Sequence, residues 1–121
     1  MNKREIGSEY EAASILFLEQ QKVQILEKNF RCKIGEIDII GLYDNKLIFF
    51  EVKYRSTKRY GVAAEAINSN KMKTISMVAD YYRVTHRQYS DRQISFDVIA
   101  IDNDKEIKWI KNAFQYCGKG F

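Results

Sequence analysis

Residues 35–55 read GEIDIIGLYDNKLIFFEVKYR, and place Glu36, Asp38, Glu51 and Lys53 inside two runs otherwise rich in Ile and Phe. Apolar runs of that length are strands of a core. A core strand rejects charge unless a partner neutralises it. Three carboxylates and a lysine in one such pair of runs are the ingredients of a divalent-cation site. Mg²⁺ takes oxygen ligands, commonly one or two carboxylates, and fills its remaining positions with water and phosphate oxygens.

The spacing sharpens this. Asp44 and Asn45 tolerate the positive φ that a two-residue hairpin turn requires. With the turn there, Leu42 faces Leu47, Ile40 faces Phe49, Asp38 faces Glu51 and Glu36 faces Lys53. Side chains alternate between the faces of a sheet. One face then carries Ile37, Ile39, Ile48, Phe50 and Val52, all apolar. The other gathers the four charged groups at the end away from the turn. Like charges directly opposite one another repel, and burial deepens the cost. A local rule broken inside a well-patterned strand pair marks a functional site. A salt-bridged quartet without chemistry is the other reading. It accounts for Glu36 with Lys53 better than for Asp38 opposite Glu51.

Other chemistries have little to stand on. The single histidine, His86, and two distant cysteines, Cys32 and Cys117, are too few soft ligands for a zinc site. His86 lies in the polar stretch VTHRQYSDRQ, which reads as a surface loop. The cysteines read as reduced thiols of a cytoplasmic protein. The start is not a signal peptide, and no stretch approaches the roughly 20 apolar residues of a membrane span.

The net charge is only +4, but it is unevenly placed. Lys53 to Lys73 holds six basic residues, Lys53, Arg55, Lys58, Arg59, Lys71 and Lys73, against one acid, Glu65. The segment serves equally as a solvated loop or as a phosphate-binding patch.

The elements that must position these groups are legible as one domain. Ser8 and Glu11 match a capping box for a helix over residues 8–21, with Ala12, Ala13, Leu16 and Phe17 as its core stripe. Residues 23–33, 36–42 and 47–54 read as strands. A second helix starts at Asn68 or Ser69 and runs to about Arg83, with Met72, Ile75, Ala79 and Tyr82 along one face. Residues 94–101 form a further strand, and 107–110 a short edge. The order is α-β-β-β-α-β, a mixed sheet flanked by helices, in the α/β (α+β) class.

Asp38, then twelve residues, then Glu51-Val52-Lys53 resembles the PD-(D/E)XK nuclease signature. The residue before Asp38 is Ile37, so the proline of that motif is absent. GEIDII, FFEVKYR, AINSNK, SFDVIAI and the late NAF together resemble the YraN family of bacterial proteins over roughly Gly7 to Phe114. The resemblance implies a restriction-endonuclease-like fold related to archaeal Holliday-junction resolvases. It implies Mg²⁺ or Mn²⁺ held by Asp38, Glu51 and the Val52 carbonyl, with Lys53 at the attacking water and phosphate. It also brings Glu11, from the first helix, and Lys71, from the start of the second, to the same site. Glu11 has a plainer role as the capping residue, and Lys71 as a solvated helix residue.

The expected function is a metal-dependent endonuclease hydrolysing phosphodiester bonds in DNA. Branched DNA follows from the resolvase resemblance alone, and symmetric cutting of a junction requires a homodimer. Arg55, Lys58, Arg59, Lys71 and Lys73 would bind the nucleic acid, and Tyr60, Tyr81 and Tyr82 could stack on bases, although Tyr82 also fits the core stripe. The rival reading is a non-catalytic nucleic-acid-binding or partner-binding protein with a vestigial site.

Overall fold

The computed structural model describes residues 3–55 and 67–118. Helix α1 spans Lys3–Gln20, strand β1 Gln24–Arg31, β2 Glu36–Tyr43 and β3 Lys46–Arg55. Helix α2 spans Ser69–Thr85, β4 Gln93–Asp102 and β5 Ile107–Phe114. The five strands form one sheet in the order β1-β2-β3-β4-β5. Only β3 and β4 are parallel. A parallel pair needs a crossover, and α2 lies within that connection. The mixed sheet with flanking helices is the architecture expected from the sequence, with β5 extended to Phe114 at the edge.

The helices cover opposite faces. On one side Ile75, Val78, Ala79 and Tyr82 of α2 pack against Ile40, Leu47, Phe49 and Phe96. On the other, Leu18 of α1 packs with Ile39, Ile48, Phe50, Ile99 and Ile101. Asn68 caps α2 as expected, its side chain accepting the Lys71 N–H at 2.8 Å. No helix among the described residues is long and apolar enough to cross a membrane.

Three expectations for α1 are corrected. The helix begins at Lys3, so Ser8 and Glu11 are interior and no capping box exists there. Gly7 costs about 1 kcal/mol against alanine, and the helix continues through it. The inward face is also shifted, although Phe17 packs on the core as expected. Leu16 is 59% exposed and Ala12 is exposed, whereas Leu18 and Ser14 are fully buried. A serine can take an inward position because its hydroxyl donates to the Tyr10 carbonyl at 2.8 Å. The helix closes with the Lys22 N–H on the Glu19 carbonyl and the Val23 N–H on the Leu18 carbonyl, both 3.0 Å. Lys22 takes φ 73°, the left-handed position of a Schellman cap usually given to glycine.

The hairpin turn falls on Asp44 and Asn45, at φ 51° and 64°. The pairings Ile40–Phe49 and Leu42–Leu47 hold. The β2–β3 ladder then stops at Ile39–Phe50. Beyond it β2 continues along β1 to Glu36, and β3 continues along β4 to Arg55. The expected ladder pairs Asp38–Glu51 and Glu36–Lys53 are therefore absent. Glu36 instead meets Arg31 at 2.9 Å. The two strands fork because each has a better partner on its outer side.

The strict alternation expected of β2 also breaks at the fork. Ile37 belongs to the α2-side cluster and Ile39 to the α1-side cluster. The β1–β2 ladder joins Lys28 to Ile39 and Phe30 to Ile37, passing over Asn29 and Asp38. Asn29 sits there at φ 51°, a conformation asparagine tolerates better than most residues. A second irregularity, between Ile25 and Glu27, brings β1 close to Gly41, where an added Cβ would lie 2.7 Å from Val23 Cγ1.

His86 is not the surface loop residue its context suggested. It ends α2, its backbone N–H on the Tyr82 carbonyl at 2.8 Å, and its ring stacks on Tyr82 at 3.9 Å. Tyr82 itself is buried, as the core stripe required. Asp97 is buried in β4. It accepts from Trp109 Nε1 at 2.7 Å, from the Asn112 N–H at 3.0 Å and from the Ser95 hydroxyl, and so ties β5 to β4.

Candidate active site at the fork of β2 and β3

The fork leaves Asp38 beside Val52 with no ladder between their strands. The Asp38 carboxylate fills the gap, its Oδ2 accepting the Val52 N–H at 2.8 Å. In an extended strand the N–H and C=O of one residue project toward the same neighbour. The Val52 carbonyl therefore also faces the Asp38 side. One carboxylate and one carbonyl share a gap that, among the described residues, no other strand fills.

Glu51 and Lys53 are two residues apart and leave β3 on the α2 face. Lys53 Nζ lies 3.6 Å from Glu51 Oε1, and Lys71 Nζ, from the first turn of α2, lies 3.8 Å from the same oxygen. Both separations exceed a direct hydrogen bond. Glu51 is only 7% exposed. Burial, and next the charge of Asp38, push its carboxyl up to about 7, with the two lysines opposing. Burial also raises Asp38, against the pull of the Val52 N–H. Two flanking ammonium groups thus leave Glu51 short of full compensation.

Glu11 reaches the opposite side of Asp38 from α1. Asn29 Nδ2 donates to its Oε1 at 2.7 Å. Burial and the neighbouring Asp38 charge raise its pKa. Its place is fixed by β1, not by a helix cap. Asn29 was the residue that sequence reasoning missed. Its signal was an asparagine in mid-strand, where alternation was already loose.

The other candidates divide. Lys71 forms an ion pair with Glu51 at 3.8 Å. Lys73 is exposed on α2. Arg55 ends β3. Lys58, Arg59 and Tyr60 lie outside the described residues. Tyr81 is 39% exposed on α2, and its ring lies tilted against Phe30 at 6.2 Å, beside Tyr82 and His86.

Among the described residues, no three His, Cys, Asp or Glu side chains form a metal cluster. The donors present are hard oxygens: Asp38, Glu51 and the Val52 carbonyl. That set suits Mg²⁺ or Mn²⁺, which keep several waters and need few protein ligands. It does not suit zinc.

The description "uncharacterised protein family UPF0102" matches residues 10–101. The chain belongs to that family. UPF0102 is the family to which the YraN resemblance pointed. A UPF0102 protein of Fusobacterium nucleatum is 44% identical over 112 residues, covering 93% of this chain and 92% of its own. One from Nitrosomonas europaea is 41% identical, covering 89% and 92%, and one from Vibrio parahaemolyticus 38%, covering 93% of each. The UPF0102 match contains Glu11, Asp38, Glu51, Lys53 and Lys71, and ends at Ile101, before β5.

Proposed function

We propose that this UPF0102 protein is a metal-dependent endonuclease that hydrolyses phosphodiester bonds in DNA, branched DNA among them, in the cytoplasm. The observation that carries the reading is the fork itself. It sets Asp38 on the Val52 backbone, with Glu51 and Lys53 on either side of that residue. Asp38, Glu51 and the Val52 carbonyl would hold Mg²⁺ or Mn²⁺. Once bound, such an ion supplies Lewis acidity to the scissile phosphate and to water.

The chain's own groups have separate tasks in this reading. Lys53, released from Glu51, supplies positive charge at the phosphate where charge develops. Lys71 neutralises a neighbouring phosphate oxygen. Arg55, Lys58, Arg59 and Lys73 hold phosphates further along the strand, which makes affinity fall with salt. Glu11, fixed by Asn29, acts on the far side of Asp38 as an acceptor for a water proton. Water adds across a P–O bond, leaving a phosphomonoester and a hydroxyl. Two copies of the chain would cut a symmetric junction.

One observation favours a second reading. Lys53 and Lys71 already flank Glu51 at 3.6 and 3.8 Å, a network that could persist in a nucleic-acid-binding protein without turnover. Labelled linear, flapped and four-way DNA, incubated with Mg²⁺ or Mn²⁺ and with wild type or Asp38→Asn, separates the two. Cutting that depends on metal and disappears in the variant supports the nuclease. Binding without cutting in both proteins supports the second reading.

A further inference from the structure

Glu51 and Lys53 leave β3 on the α2 face, so Val52 and Tyr54 leave it on the α1 face. On that face the Tyr54 ring stacks on Tyr10 of α1, with centroids 4.5 Å apart and planes 19° from parallel. The two tyrosines, with Glu11, Asp38 and Val52, line an open cavity of about 210 Å³. Tyr54 is still 39% exposed, although it follows the buried Glu51 by only three residues. Asp38 belongs to both sides of the strand pair. Its charge is felt by Lys53 and Lys71 on the α2 side, and its side chain walls the cavity on the α1 side.

A polynucleotide offers the matching pair of groups: an anionic phosphate and, attached to the same sugar, a flat apolar base. A base has a π-face that stacks on an aromatic side chain whatever its identity. Tyr10 braces Tyr54 from behind, so the ring is held at a fixed tilt instead of turning freely.

We propose that the Tyr10–Tyr54 cavity binds one unpaired nucleobase next to the phosphate that Lys53 would hold, stacked on Tyr54. The inference rests on the nuclease reading for the phosphate, and it names the substrate class. A base inside a duplex cannot reach a cavity recessed beside the sheet without leaving its own stack, which costs energy that an unpaired base does not pay. The preferred nucleic acid therefore carries an unpaired nucleotide at the point of contact, as in a flap, a junction or a single strand. Fully paired DNA is disfavoured.

A flap oligonucleotide with 2-aminopurine at its first unpaired position tests this. Binding is followed by anisotropy in Ca²⁺, and stacking by quenching of the 2-aminopurine. Wild type should bind and quench. Tyr54→Phe should keep the quench. Tyr54→Ala should lose it and weaken flap binding about tenfold, while binding of fully paired DNA stays the same. Tyr54→Leu, which keeps apolar bulk against Tyr10, should behave as Tyr54→Ala and guards against a folding defect. Absence of flap binding by wild type, binding without quench, or an equal quench in Tyr54→Ala overturns the proposal. Cleavage in Mg²⁺ or Mn²⁺, measured separately on wild type and Asp38→Asn, decides the nuclease reading independently. A protein that cuts but never quenches keeps the function and loses this subsite. One that quenches but never cuts does the reverse.

Discussion

The Asp38 carboxylate accepts the Val52 backbone N–H at 2.8 Å, where the ladder between their strands has ended. A side chain thus does the work of a missing backbone partner, and the residue that closes the fork is also the first candidate metal ligand. Structure and chemistry can be separated there, because asparagine keeps an acceptor oxygen and loses the charge.

Asp38→Asn should fold with little change in melting temperature and lose cleavage by on the order of 100- to 1,000-fold. It should also lower the pKa of Glu51, because the Asp38 charge is one of the causes that raise it. Carbon-13 NMR titration of the Glu51 carboxyl in both proteins checks this. An unchanged Glu51 would mean that the two groups do not sense each other.

Glu51 makes metal-free stability depend on pH. Its carboxyl rises from the usual 4.5 to about 7 in the fold, so between those values the folded state binds more protons than the unfolded one. Stability then falls as pH rises through that window, by on the order of 2 kcal/mol, and levels off above it. Urea melts in EDTA at pH 5 and pH 8 should show the loss in wild type, and Glu51→Gln should remove most of it. Mg²⁺ should reverse the trend, raising the melting temperature more at pH 8, where protons no longer compete for the ligands.

Lys73 is exposed, whereas Lys71 leans on Glu51. Lys73→Ala should leave stability within about 0.5 kcal/mol and reduce the salt dependence of DNA binding by roughly one counterion. Equilibrium binding from low to moderate KCl gives the slope. An identical slope in the variant would take Lys73 out of the phosphate-binding set.

The two leucines of α1 should behave as opposites. Leu18→Ala opens a void in the α1-side core and should cost about 2–5 kcal/mol. Leu16→Ala should change stability by no more than about 0.5 kcal/mol. Denaturant titrations of both variants test which face of α1 points inward.

Asp97→Ala removes the acceptor shared by Trp109, Asn112 and Ser95. Leaving those donors unmet should cost roughly 2–4 kcal/mol. Because the partners of Asp97 lie on β4 and β5 and none is a candidate site residue, cleavage per folded molecule should match wild type, as a thermal melt paired with a cleavage assay would show.

Local rules carried much of the fold. The Asp44-Asn45 turn, the Ile40–Phe49 and Leu42–Leu47 pairings, the Asn68 cap and the α2 stripe all depend on residues a few positions apart, which periodicity and turn chemistry report directly. They also placed Asp38, Glu51 and Lys53 at one end of one hairpin. Local rules failed on α1. Ser14 and Leu16 differ in polarity in the wrong direction for their burial, because a hydroxyl bonded to the turn before it can be buried and a leucine need not be.

By itself, then, the amino-acid sequence determined which elements form and which residue types gather at the charged end of the hairpin. Only the tertiary structure decided how they meet. Pairing of β2 with β1 and of β3 with β4 pulls the strands apart beyond Ile39 and Phe50. That separation puts Asp38 on the Val52 backbone, Glu36 on Arg31, Glu11 on Asn29 and Tyr54 on Tyr10. Two of these contacts, Glu11 with Asn29 and Tyr54 with Tyr10, join α1 to strands of the sheet and lie outside the local pairing of the hairpin. They are set by competition between neighbouring strands for the same backbone groups, and no local pattern records its outcome.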